Sequence, residues 1–180
     1  MAGSDLADKK VLMIIAQKNF RDEEFFEPRE IFEDAGMDVT VASNSTDEAV
    51  GALGGKVRPD ATIDNVNIAE FDAVVIAGGG GSREFLWSNK KLQKLVKDAF
   101  DHEKVVAAIC ISPVVLARAG VLEDRKATVF KDAACIKELE KGGASYEEED
   151  VIADDNVVTA CGPDAAEKFG EAVLEALERF

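Results

Sequence analysis

The sequence predicts a doubly wound α/β sandwich, a mostly parallel sheet with helices on both faces. Three observations point to it. Strand-length apolar runs alternate with helical periodicities along the whole chain. The runs Val11–Ala16 and Ala73–Ala77 are apolar throughout, as expected of strands covered on both faces. Glycines, or a cysteine followed by a proline turn, stand where such runs end.

Taken in order, Val11–Ala16 is the first strand. Phe25, Phe26, Ile31 and Phe32 recur at near-helical spacing up to a C-capping Gly36, and Met37–Ser43 is the second strand. Ala49–Ile63, folded about Gly54-Gly55, reads as a hairpin, with Pro59 placing it at an edge. Ala73–Ala77 follows and ends in the glycines 78–81, and Leu92, Leu95, Val96 and Phe100 mark a helix face. Val105–Ile109 runs into Cys110, and Pro113–Ala119 opens a helix in which proline's missing N–H is no loss. A short strand at Ala127–Phe130 precedes a helix around Cys135 to Leu139. Asp150–Ala153 and Asn156–Ala160 form a hairpin about Asp154-Asp155, and Ala165, Phe169, Val173, Leu174 and Leu177 lie on a last helix. No repeat, linker or low-complexity block divides residues 1–180, so one domain is expected, with residues 1–9 flexible.

A net charge of −15 and a pI near 4.5 argue against nucleic acid and anionic membranes as partners. No apolar run approaches the ~20 residues that cross a bilayer. The opening Met1–Lys10 lacks the apolar centre of a signal peptide. Cys110, Cys135 and Cys161 have neither zinc spacing nor the density of a disulfide scaffold. A cytoplasmic protein without metal or cofactor is expected.

In open α/β sheets ligands gather at the carboxyl ends of strands. Cys110 stands at such an end, on a strand-to-helix turn of the kind that presents a nucleophile, beside helix N–H groups that favour thiolate. A small buried cysteine closing a strand is the alternative reading. The glycine run fails the dinucleotide pattern G-x-G-x-x-G, because position 83 is Arg. It lets a backbone N–H approach a reacting oxygen instead, so Gly79 and Ile111 N–H are the candidate oxyanion pair. Asp22 and Glu23 are explained by complementing a helix dipole. Glu24, on the same turn as the apolar residues, points inward over the sheet edge. Buried beside a thiolate, its carboxyl would have a raised pKa and could donate to sulfur. The single histidine, His102, lies before the strand that leads to Cys110, a strand length away, and reads as a surface residue. Cys135 reads as packing, and Cys161, also at a strand end, is the one candidate redox partner for Cys110.

Ala108-Ile109-Cys110-Ile111-Ser112-Pro113, Glu24-Phe25-Phe26-Glu27-Pro28 and Ala77-Gly78-Gly79, three segments in the right order along the chain, make it resemble the ThiJ/PfpI family of deglycases and intracellular proteases, a class I glutamine amidotransferase-like group. The resemblance runs from Lys10 to the last helix. It implies a flavodoxin-like three-layer sandwich, a reactive elbow cysteine at Cys110, a partner carboxyl at Glu24, Gly79 as oxyanion donor, and a homodimer or higher homo-oligomer. This chain departs from the family pattern in five places. Ile111 and Ser112 stand where His and Gly are common, Ala77 where Pro is usual, Cys161 where an Arg is common, and Thr128–Phe130 holds no His.

Peptide hydrolysis needs a proton for the departing amine, normally from histidine, so efficient proteolysis is not expected. The expected activity is glyoxalase- or deglycase-type chemistry on a small aldehyde without glutathione, with Cys110 as nucleophile and Glu24 moving the proton. The alternative is a cysteine redox sensor or stress-protective protein, in which an oxidant takes Cys110 to sulfenate and sulfinate.

Overall fold

The computed structural model describes residues 6–180. Its main sheet has seven strands in the order β11-β12-β8-β7-β1-β3-β6. These are β1 (Lys10–Ile14), β3 (Asp38–Ser43), β6 (Ala61–Thr62), β7 (Ala73–Ile76), β8 (Val105–Ile109), β11 (Val151–Asp154) and β12 (Val157–Ala160). All pairings are parallel except that of β11 with β12. The central strands β1, β7 and β8 have no exposed face, which is why their sequences are apolar without alternation. The mixed α/β architecture is therefore the one expected.

Helices cover the sheet: α1 (Asp22–Asp34), α2 (Gly80–Phe85), α3 (Lys90–Asp101), α4 (Pro113–Arg118), α5 (Ala133–Lys141) and α6 (Ala166–Arg179). On α1, Glu24, Pro28 and Phe32 are buried at a spacing of four, so the acid shares the stripe that faces the core. α6 buries Ala166, Phe169, Gly170, Val173 and Leu177 in the same manner and packs against α1. A Cβ at Gly170 would lie 2.8 Å from Ile31 Cδ1 and 3.2 Å from Pro28 Cα, so the missing side chain sets how closely the two helices approach.

Several short elements differ from expectation. β2 (Lys18–Phe20), β4 (Ala49–Gly51) and β5 (Lys56–Val57) make a separate three-stranded sheet, so the hairpin about Gly54-Gly55 closes at Val57. The rest of the expected hairpin leaves it: Ala61–Thr62 pairs in parallel with β3 at the edge of the main sheet, and Pro59 lies between the two sheets. The strand expected at Ala127–Phe130 is only β9 (Lys126–Ala127), paired with β10 (Ser145–Tyr146). Phe130 is turned away because its N–H donates to Cys110 O, 2.7 Å, and its ring is 45% exposed. The glycine run is not only a turn, since Gly80 begins α2. Of the stretch expected to be flexible, residues 1–5 lie outside the described residues, and Leu6 is buried in the core. No helix among the described residues is long and apolar enough to cross a membrane.

Candidate active site

β8 ends at Ile109, and Cys110 then adopts φ +66°, a left-handed conformation that costs a non-glycine residue about 1–2 kcal/mol. Neighbouring backbone holds it there. Cys110 N–H donates to Ala160 O on β12, 2.9 Å, while Cys110 O accepts from Phe130 N–H. Strain fixed in this way at a strand-to-helix turn defines an elbow. The residue is 8% exposed, and it lines a cavity of about 420 Å³ with Arg21, Glu24, Gly79, Arg83, Ile111 and Phe130 among its walls.

α1 carries Glu24 into the same cavity, fully buried. Its Oε1 accepts from Gly78 N–H at 3.0 Å, and its Oε2 has no hydrogen-bond partner among the described residues. Gly78 sits between acid and thiol. A Cβ there would lie 2.5 Å from Cys110 Cβ, 2.6 Å from Glu24 Oε1 and 2.6 Å from Ile109 O. Gly79 adopts φ +100°, and a Cβ on it would lie 2.3 Å from Arg21 N, so only glycine brings its N–H to the sulfur.

The expected lowering of the Cys110 thiol is reversed. Burial pushes it up, to about 12, the charge of Glu24 adds to the rise, and the Gly79 and Ile111 N–H groups oppose it without overcoming it. α4 has only six residues, too short for a strong dipole. Burial likewise lifts the Glu24 carboxyl to about 8, against the lowering effect of the neighbouring Cys110 thiol and the Gly78 N–H. At neutral pH the carboxyl is therefore mostly protonated. In that state its repulsion of a thiolate vanishes, and an O–H is on hand to donate to sulfur.

Four positioning groups escaped the sequence reading. Ser82 and Ser112, both buried, join Oγ to Oγ at 2.7 Å, and Ser112 Oγ also donates to Ala77 O, 2.7 Å. This ties the glycine loop to the elbow. Trp87 Nε1–H donates to Ile111 O at 2.9 Å, fixing the peptide that follows the cysteine. Arg83 stacks over Trp87, 4.6 Å from guanidinium to ring centroid. The lone tryptophan was the one available signal, because a buried indole needs an acceptor.

The remaining expected residues separate. Asp22 does more than complement a dipole: it is 9% exposed and accepts from Leu53 N–H and Gly55 N–H, each at 2.8 Å, which docks the β4–β5 hairpin beside the site. Glu23 pairs with Arg21 at 2.9 Å. Cys161 immediately follows Ala160, the register partner of Ile109, yet it opens on a different cavity of about 670 Å³ that shares only Phe130 and Pro163 with that of Cys110. All three cysteines are free thiols. His102 caps α3 on the surface, at the far end of β8. No group of three or more His, Cys, Asp or Glu among the described residues could hold a metal ion.

Fold and site together define a three-layer α/β protein with a cysteine at a strand-to-helix elbow and a buried acid beside it. The chain belongs to the DJ-1/PfpI family, whose model matches residues 9–176. It is 51% identical to an uncharacterised protein of Methanocaldococcus jannaschii over 97% of this chain and 85% of the relative. It is 32% identical to protein/nucleic acid deglycase 2 of Escherichia coli, over 94% and 98% of the two chains. With a glutathione-independent glyoxalase of Caenorhabditis elegans the identity is 27%, over 96% and 90%. A solved ThiJ/PfpI domain protein from Brachyspira murdochii superposes with a TM-score of 0.91 at 36% identity, covering 96% of this chain and 98% of that one.

Proposed function

We propose that the protein converts small reactive aldehydes by covalent catalysis at Cys110, as a glyoxalase or deglycase that needs no glutathione. The observation that carries this reading is the thiol at a strained elbow, beside the buried Glu24 carboxyl and the N–H groups of Gly79 and Ile111, in one cavity. The deglycase and glyoxalase names of relatives support it.

With methylglyoxal the steps balance without an oxidant. Ionised Glu24 takes the thiol proton as Sγ bonds to the aldehyde carbon. The resulting oxyanion is held by the two N–H groups and takes that proton from Glu24, which gives a hemithioacetal and leaves Glu24 ionised again. Glu24 then carries the proton from that carbon to the neighbouring ketone carbon while the hydroxyl proton passes to the ketone oxygen, so the first carbon is oxidised and the second reduced. Water releases lactate from the thioester and restores the thiol. Proteolysis is not part of the proposal, since His102 lies about 17 Å or more along β8 from the elbow. Purified protein should form lactate from methylglyoxal, and Cys110→Ser and Glu24→Gln should each lose at least about a hundredfold in rate. Undiminished turnover in either variant refutes the mechanism.

A second reading, cysteine redox sensing, is favoured by the same N–H pair and neutral carboxyl, which would hold the oxygens of a Cys110 sulfinate. Each peroxide consumed adds one oxygen to sulfur and leaves as water. Peroxide titration followed by mass spectrometry should then oxidise Cys110 before Cys135 and Cys161. Equal oxidation of all three would exclude a tuned site.

A further inference from the structure

We infer that Arg83, seconded by Arg21, selects aldehyde substrates that carry a carboxylate. The inference rests on the reading of Cys110 as nucleophile and adds the substrate class. Both guanidinium groups line the Cys110 cavity. The chain as a whole carries −15 and repels anions, and these two cations offset that charge locally where a substrate enters.

Arg83 is held yet unsatisfied. Its guanidinium lies on the Trp87 face, and its Nη2 stands 3.6 Å from Asp132 Oδ2 and 3.8 Å from Cys135 Sγ. None of its N–H groups makes a hydrogen bond to oxygen among the described residues, and the side chain is 54% exposed. A planar fork stacked on Trp87, with Nη2 only loosely paired and Nε and Nη1 free of hydrogen bonds among the described residues, can still grip a carboxylate. Arg21 spends Nε and Nη2 on Glu23 at 2.9 to 3.2 Å, which leaves only Nη1 for a ligand. It is therefore the weaker of the two. Of the acids lining the cavity, Glu24 is needed for proton transfer and Asp132 only partly offsets Arg83.

The test compares Cys110 alkylation by iodoacetate and by iodoacetamide, which differ by one carboxylate. Either reagent forms a sulfur–carbon bond, expels iodide and releases the thiol proton. Rates at Cys110 are read by mass spectrometry and divided to give a preference, with N-acetylcysteine as the free-thiol reference. Wild type should prefer iodoacetate by about tenfold over the reference. Arg83→Gln should fall to the reference value, and Arg21→Gln should fall part of the way. Arg83→Lys keeps the charge but loses the planar fork, so it should retain only part of the preference. Lys94→Gln removes a charge on α3 outside the cavity and should not alter it.

A wild-type preference at or below the reference overturns the proposal, and so does an Arg83→Gln preference equal to wild type. Failure of both reagents at Cys110, with Cys161 alkylated in the same sample, would instead sink the nucleophile itself and the substrate class with it.

Discussion

A carboxyl with one oxygen bonded to Gly78 N–H and the other unpartnered is a proton held against its ordinary affinity. An unfolded chain ionises Glu24 near 4.5, and the folded protein does so near 8. Between those values the unfolded state has shed a proton that the folded state keeps, so unfolding free energy falls as pH rises and levels off above about 8. Glu24→Gln lacks that slope. Its stability relative to wild type should therefore climb by about 4 kcal/mol from pH 4.5 to 8 in urea titrations, and a gap independent of pH would refute the assignment. Catalysis runs the other way. Under the proposed mechanism ionised Glu24 accepts the thiol proton, so kcat/KM for methylglyoxal should rise with pH up to about 8 in a pH–rate profile. Gly78→Ala forces a Cβ against Cys110 and backbone Ile109 O, so a loss of about 1–3 kcal/mol should accompany most of the activity loss, read by thermal melts alongside the assay. Cys110, Glu24, Gly79 and Ile111 were legible because a strand end and a helix start each announce themselves locally. Arg83, Ser82, Ser112 and Trp87 were not, since only tertiary packing brings α2 and the segment after it to the elbow.

The β4–β5 hairpin hangs on one side chain. Two backbone N–H groups, of Leu53 and Gly55, donate to the Asp22 carboxylate, and charge-assisted bonds of this kind are worth about 1.5–3 kcal/mol each. Asp22→Ala should release the hairpin while the main sheet stays folded. Hydrogen exchange should then quicken at residues 49–57 and leave β1, β7 and β8 protected, whereas uniform loss of protection would show that the hairpin belongs to the global folding unit. Long elements with a clear period, such as α6 and β8, could be read from sequence to within a residue or two. β2, β9 and β10 have two or three residues each, too few to display any period, and they exist because a distant partner supplies their hydrogen bonds. The same limit explains the hairpin that was read as running to Ile63. Nothing local says that Ala61–Thr62 joins β3 instead.

Over the whole molecule, alternating strands and helices specified the layers but not the strand order. β1 lies between β3 and β7, an arrangement that pairs segments far apart in sequence. With a net charge of −15 the folded state compresses like charges, and screening should relieve it. Raising salt from about 0.01 to about 1 M, which shortens the Debye length from about 30 to about 3 Å, should raise the melting temperature. A fall would mean that the surface ion pairs outweigh the net repulsion. The Ser82–Ser112 hydroxyl bridge lies at the junction of these layers, joining the crossover after β7 to the one after β8. Neither hydroxyl gains or loses a proton over the range in which Glu24 titrates. Acid and base can thus change how many protons the Cys110 cavity holds while its scaffold keeps one shape. Substitutions at Cys110 or Glu24 could therefore be compared on an unmoved frame.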